Sequence, residues 1–177
     1  MEIGVRIPHT GPRATPELVR AWSMAADRLG FDVLWGVDHV VMPQRVESKY
    51  VLPRQPAAIA DDAVSQLLAP NFEMMTTLAF VAALTEHIKL GTAVAVLPIR
   101  NPVMNARQLA TIDRYSDGRV LFGVGVGWLK EEADAMGIPW DRRDRSRARR
   151  ATRRRLDRGP DVGRSAVGPC HHPAAGG

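Results

Sequence analysis

Asp38 and His39 end the segment "FDVLWGVDH", residues 31–39, an apolar run that finishes in an acid and an imidazole. An imidazole titrates near neutrality, so His39 can take up or release a proton at the pH of a cell. A carboxylate next to it, Asp38, could orient its ring. The other reading is a histidine at the end of a strand bonded to a nearby backbone carbonyl, and both readings stay open on position alone. A second candidate is "GVGVG", residues 123–127, where glycines follow a strand-like run and precede a helix-like one. A dinucleotide-binding fingerprint has that setting. Here the spacing is G-x-G-x-G, without the last glycine, and it falls on the fourth strand-like segment rather than the first. Glycines that let neighbouring strands or a ring system come close are the alternative. "CHH", residues 170–172, offers one cysteine and two adjacent histidines without a second ligand pair, so no metal site is expected. Cys170 is the only cysteine, which excludes an intramolecular disulfide.

The basic charge could suggest nucleic acid, since residues 142–155 hold nine arginines in fourteen positions. The net charge of +5 is unevenly divided, with −2 on residues 1–140 and +7 on residues 141–177. An acidic body repels phosphate, and the tract has no interleaved aromatics for base stacking. A non-enzymatic, basic-tailed nucleic-acid-binding fragment is therefore only the alternative reading. The opening "MEIGVRIPHTG" has no basic segment followed by an apolar one, and no apolar run approaches the ~20 residues of a membrane span. A cytoplasmic protein without membrane contact is the expectation.

The elements that must carry Asp38 and His39 alternate between two periodicities. Strands are predicted over residues 3–7, 31–39, 88–98 and 119–127 from short, largely apolar, β-branched runs. Helices are predicted over 16–29, 73–85 and 102–116, and a fourth begins in "LKEEADAMG" and stops at Gly137. Thr15-Pro16 and Asn101-Pro102 read as cap and first-turn pairs. Residues 40–72 form a long connection with a possible short helix over 61–68, read as part of a substrate lid. Strands separated by helices pair in parallel. The alternatives are a small doubly wound sheet and part of a (β/α) barrel, because a closed barrel typically takes ~250 residues.

Four stretches favour the barrel. "ADRLGFDVLWGVDH", "IKLGTAVAVLPIRNPV", "ARQLATIDRYSDGRVLFGVGVGW" and "EEADAMGIPWDRR" resemble, in order and spacing, the N-terminal half of the bacterial luciferase-like flavin and deazaflavin oxidoreductases. The openings "PHTGP" and "DHVVMP" resemble the branch that depends on coenzyme F-420. The resemblance implies an α/β fold of the TIM (β/α)8-barrel family, with residues 1–140 as its first four βα units. It implies FMN or coenzyme F-420 as cofactor and a small organic molecule as substrate, and family members are often homodimers. It makes His39 and Asp38 the candidate catalytic pair. Asp38, Thr92, Ala93, Val94 and Gly125 become candidate cofactor contacts, with a non-prolyl cis peptide at Ala93–Val94. Trp128 stands where some F-420 sugar dehydrogenases carry a catalytic glutamate, a departure that argues against their particular chemistry. Trp35 and Phe122 are read as core.

Residues 141–177 lack Lys, Glu, Asn, Gln, Ile, Met, Phe, Tyr and Trp, and offer three sizeable hydrophobes, too few for a core. That palette is what an off-frame reading of GC-rich codons produces. The expectation is a disordered basic tail arising from a frameshift, and a truncated, inactive chain. Four strands cannot close a barrel, so the inner sheet face should be open to water, with Val94, Val96, Phe122 and Val124 at risk.

Overall fold

The first helix shows how local chemistry sets the frame. In the computed structural model, which describes residues 1–48 and 69–140, Thr15 is extended at φ −133° and its hydroxyl accepts the Leu18 N–H at 3.1 Å. Pro16 then opens α1 (Pro16–Arg28), with Glu17 in the first turn and Arg28 in the last, each at the end of the helix dipole that favours its charge. Asn101 repeats the device. Its side chain accepts from Val103 N and Met104 N at 3.0 and 3.1 Å and starts α3 (Pro102–Tyr115). Glu73 caps α2 (Met74–Ala82) through Met75 N and Thr76 N. A cap of this kind contributes about 1 kcal/mol.

The strands are β1 (Gly4–Arg6), β2 (Val33–Gly36), β3 (Lys89–Val96) and β4 (Val120–Gly125), and α4 (Lys130–Ala135) follows. They form one parallel sheet in the order β1-β2-β3-β4. That order separates the two architectures left open above. A doubly wound dinucleotide fold reverses direction at a switch point and puts its first strand in the middle. Here each strand lies beside the one before it and β1 is at an edge, the winding of a (β/α) barrel.

The helices cover one face of the sheet. Leu34 and Leu90 are wholly buried there against Met74, Met75, Leu78 and Val81 of α2. Asp27, at the end of α1, accepts the N–H groups of Glu86, His87 and Ile88 and so ties that helix to the entry of β3. Burial opposes its charge, but those three donors hold its pKa below the ordinary aspartate value. After the Asp117-Gly118 turn, Arg119 donates to the carbonyls of Ala82, Thr85, Ile88 and Ser116. It closes the C-terminal end of α2 with its guanidinium.

On the other face, the Trp35 ring lies across Gly91 of β3, where an added Cβ would come within 2.3 Å of the indole. The sheet is locally irregular between Thr92 and Ala95. The Ala93–Val94 peptide is cis, as the family resemblance implies, and the register with β4 shifts there. Val94 is 42% exposed and Phe122 38%. Val96, Phe122 and Val124 depart from the expected open inner face. Val96 is buried, its N–H held by Asp38. Phe122 and Val124 share their side of β4 with Val120, which packs on the helix-side core, and Val124 pairs with buried Ala95; Phe122 is exposed at the sheet's edge, neither on the inner face nor in the core as expected. The possible helix at 61–68 and all of residues 141–177 lie outside the described residues. No described helix is long and apolar enough to cross a membrane.

Candidate active site

All four strands deliver side chains to the same end of the sheet, beyond their carboxyl termini, where parallel α/β folds place their chemistry. β2 pairs with its neighbours only through Gly36, which leaves Asp38 and His39 just past the strand rather than within it, as the sequence had suggested. His9 follows β1, Arg100 follows β3, and Trp128 and Glu132 follow β4.

Asp38 does not orient His39. Its side chain is fully buried and meets the Arg100 guanidinium through both oxygens, at 2.7 Å to Nε and 2.5 Å to Nη2. One of those oxygens also accepts the Val96 N–H at 2.9 Å. Arg100 Nη2 reaches Glu73 as well, at 2.7 Å. The result is one cation between two carboxylates, joining the end of β2, the exit of β3 and the cap of α2. Burial alone would lower the Arg100 pKa, yet the two carboxylates raise it above the ordinary guanidinium value. Glu73 is held below the usual carboxylate range despite burial, by the Thr76 N–H, Arg100 and the Thr76 hydroxyl.

The ring of His39 is held by Glu132 instead. Nδ1 lies 3.0 Å from Oε2, with the histidine side chain 11% exposed and the glutamate 3%. The second oxygen, Oε1, accepts the N–H groups of Val40 and Val41 at 2.6 and 3.1 Å. The carbonyl of His39 accepts from the Asn71 amide, and Trp128 meets the ring edge-on at 6.2 Å between centroids. Nε2 takes no hydrogen bond from a described residue. Next to Glu132, Glu131 accepts the Glu47 and Ser48 N–H groups at 2.7 and 2.8 Å. The described start of the supposed lid, residues 40–48, is therefore pinned to α4 by two consecutive glutamates.

His9 is the contrast. It is wholly buried, its Nδ1 donates to the Phe72 carbonyl at 2.9 Å, and its Nε2 accepts the Val37 N–H at 3.1 Å. Both nitrogens are engaged and the ring is neutral. Burial pushes its pKa down.

The remaining candidates lie on β3 and β4, and Thr92 does not join the others at an exposed surface. The Thr92 hydroxyl donates to the Gly123 carbonyl at 2.7 Å and the residue is buried. Ala93 and Val94, joined by the cis peptide, are exposed. A Cβ at Gly125 would stand 2.5 Å from Val94 Cγ2, so the glycine leaves a shallow apolar cradle against the bulge. A flat ring could lie against such a surface, and the His39 imidazole, whose Nε2 takes no hydrogen bond from a described residue, stands just past the end of the neighbouring strand β2. Sequence reasoning missed Glu132, Glu73 and Arg100. The one available signal for Glu132 was an acidic pair at the start of a helix, which ordinarily complements the helix dipole.

The family described as luciferase-like monooxygenase matches residues 1–149. An uncharacterised protein of Mycobacterium tuberculosis is 32% identical over 118 residues, 67% of this chain and 40% of that protein. An FMNH2-dependent dimethylsulfone monooxygenase of Pseudomonas putida is 40% identical over 68 residues, 38% of this chain and 18% of the relative. In structure, the coenzyme F-420-dependent tetrahydromethanopterin reductase of Methanopyrus kandleri superimposes with a TM-score of 0.53 at 25% identity, covering 78% of this chain and 30% of that one. The chain thus spans about two-fifths of the length of the first of these relatives. With the family's match running through every strand and helix described, this chain belongs to the luciferase-like monooxygenase family.

Proposed function

We propose that this chain forms the first half of the active site of an oxidoreductase that uses reduced FMN or coenzyme F-420 on a small organic substrate. The observation that carries the reading is His39, fixed by Glu132 just past the end of β2, with the exposed cis bulge at Ala93–Val94 and its partner Gly125 on the two strands that follow in the sheet. When bound, such a cofactor supplies the electrons, as a hydride from the deazaflavin or by reaction of the reduced flavin with oxygen. The chain's residues do the rest. Val94 and Gly125 offer the apolar surface for the ring, and His39 holds or moves a proton at Nε2. Asp38, buried under Arg100, supports the strand ends and keeps its neighbours in place.

Four βα units give only part of a cofactor's hold, because phosphate sites in this fold are commonly built by loops after the seventh and eighth strands. We infer that the four-stranded unit by itself has no micromolar affinity for either cofactor. Fluorescence titration with FMN and with coenzyme F-420, on a version carrying all eight units, tests the function and chooses the cofactor. Gly125→Leu, which fills the cradle, should weaken binding at least tenfold. Unchanged affinity in that variant would remove the cradle from the site.

A further inference from the structure

Nε2 of His39, which meets no hydrogen-bond partner among the described residues, is either a donor or an acceptor, and Glu132 decides which. Its Oε1 is occupied by two backbone N–H groups, so it carries no proton. Only Oε2 faces the ring, at 3.0 Å from Nδ1. An imidazole is ordinarily a stronger base than a carboxylate, so the proton between them sits on Nδ1. We infer that Glu132 is a positioning residue that holds neutral His39 in the Nδ1–H tautomer and leaves Nε2 as a lone-pair acceptor. This deepens the proposed function and rests on its reading of His39 as the proton-handling group. In that tautomer the ring takes a proton at Nε2 and gives it back there, while Nδ1 keeps its own. Free imidazole side chains favour the opposite tautomer, so the preference has to be imposed by a partner.

The same two-sided arrangement makes the test sharp. In Glu132→Gln, the two backbone donors keep the amide oxygen, and the amide nitrogen is left facing Nδ1. An NH2 group can only donate, so Nδ1 must become the acceptor and the proton moves to Nε2. Long-range 1H–15N correlation on the 15N-histidine-labelled 177-residue chain, at a pH where imidazole is neutral, reads the tautomer without any cofactor. His39→Asn assigns the signal by its loss. His39 should show a protonated Nδ1 and an unprotonated Nε2, and Glu132→Gln should exchange the two signatures. Glu131→Gln, whose carboxylate holds Glu47 and Ser48 rather than the ring, should leave them unchanged. His9 has the same tautomer by independent bonds and serves as an internal reference for the fold. A wild-type His39 that carries its proton on Nε2, or that averages the two forms, overturns the inference. So does a Glu132→Gln spectrum with His9 intact and His39 unmoved. Because no cofactor enters the measurement, its failure is distinct from failure of the titration that tests the function.

Discussion

His9 and His39 sit at the ends of adjacent strands, and their partners give them opposite uses. His9 is committed at both nitrogens, so it can neither offer nor take a proton without breaking a bond in the core. Its folded pKa is lowered by burial, against an ordinary value near 6.5. Below that value the unfolded chain binds a proton that the folded chain resists, so stability falls as pH drops through and below it. Urea unfolding followed from pH 7.5 to 5.5 (roughly the span over which a free imidazole charges) should show a falling midpoint. His9→Gln should be less stable at the upper pH and much flatter across the range; a wild-type midpoint that rises on acidification would contradict the assignment. His39 has Nε2 without a hydrogen bond from any described residue, and the proposed function has that nitrogen hold or move the proton. In a version with all eight units, His39→Ala should lower kcat by about 10²-fold or more with little change in cofactor affinity, the usual scale for a general acid or base. Steady-state kinetics with a parallel cofactor titration separates the two effects, and an unchanged kcat would remove His39 from the mechanism.

At the site end, Arg100 ties together the end of β2, the exit of β3 and the cap of α2. Removing it by Arg100→Met leaves Asp38 buried with one partner, the Val96 N–H, and frees Glu73 to repel it. Stranding a buried charge in this way costs about 3–5 kcal/mol, whereas replacing both partners with apolar side chains can cost far less. Denaturant titration should therefore find Arg100→Met strongly destabilised and the double variant with Asp38→Leu substantially recovered; equal losses in the two would contradict the account. This ion triad also marks where sequence reading stops. The alternation of strand and helix was legible because periodicity and caps such as Thr15 and Asn101 act within a few residues. The cis bulge at Ala93–Val94 came through family resemblance, since nothing in "GTAVAV" distinguishes it from an ordinary buried strand. Arg100 and Glu132 were invisible for a different reason. Their partners are 62 and 93 residues away in the chain, at Asp38 and His39, and only the stacking of consecutive strands brings them together. Asp38 was placed at the site but given the wrong task, because adjacency in sequence does not fix which neighbour a side chain meets past a strand's end.

At the scale of the molecule, the described sheet has two free edges, β1 and β4, and an inner face on which Val94 is open to water. Parallel strands with open edges and apolar surface are templates for association. The 177-residue chain should therefore elute in size-exclusion chromatography as a dimer or larger species rather than as a monomer. The proposed function makes the strand ends of this chain part of a flavin or deazaflavin site that holds its proton-handling group and relies on further βα units for the rest of its grip on the cofactor. Its most direct test is a fluorescence titration of FMN and coenzyme F-420 into the 177-residue chain and, in parallel, into a version with all eight units. One cofactor should bind the eight-unit protein at micromolar concentration, and neither should bind the shorter chain. Binding of neither cofactor by the eight-unit protein, or micromolar binding by a monodisperse monomer of the 177-residue chain, would contradict the proposed function.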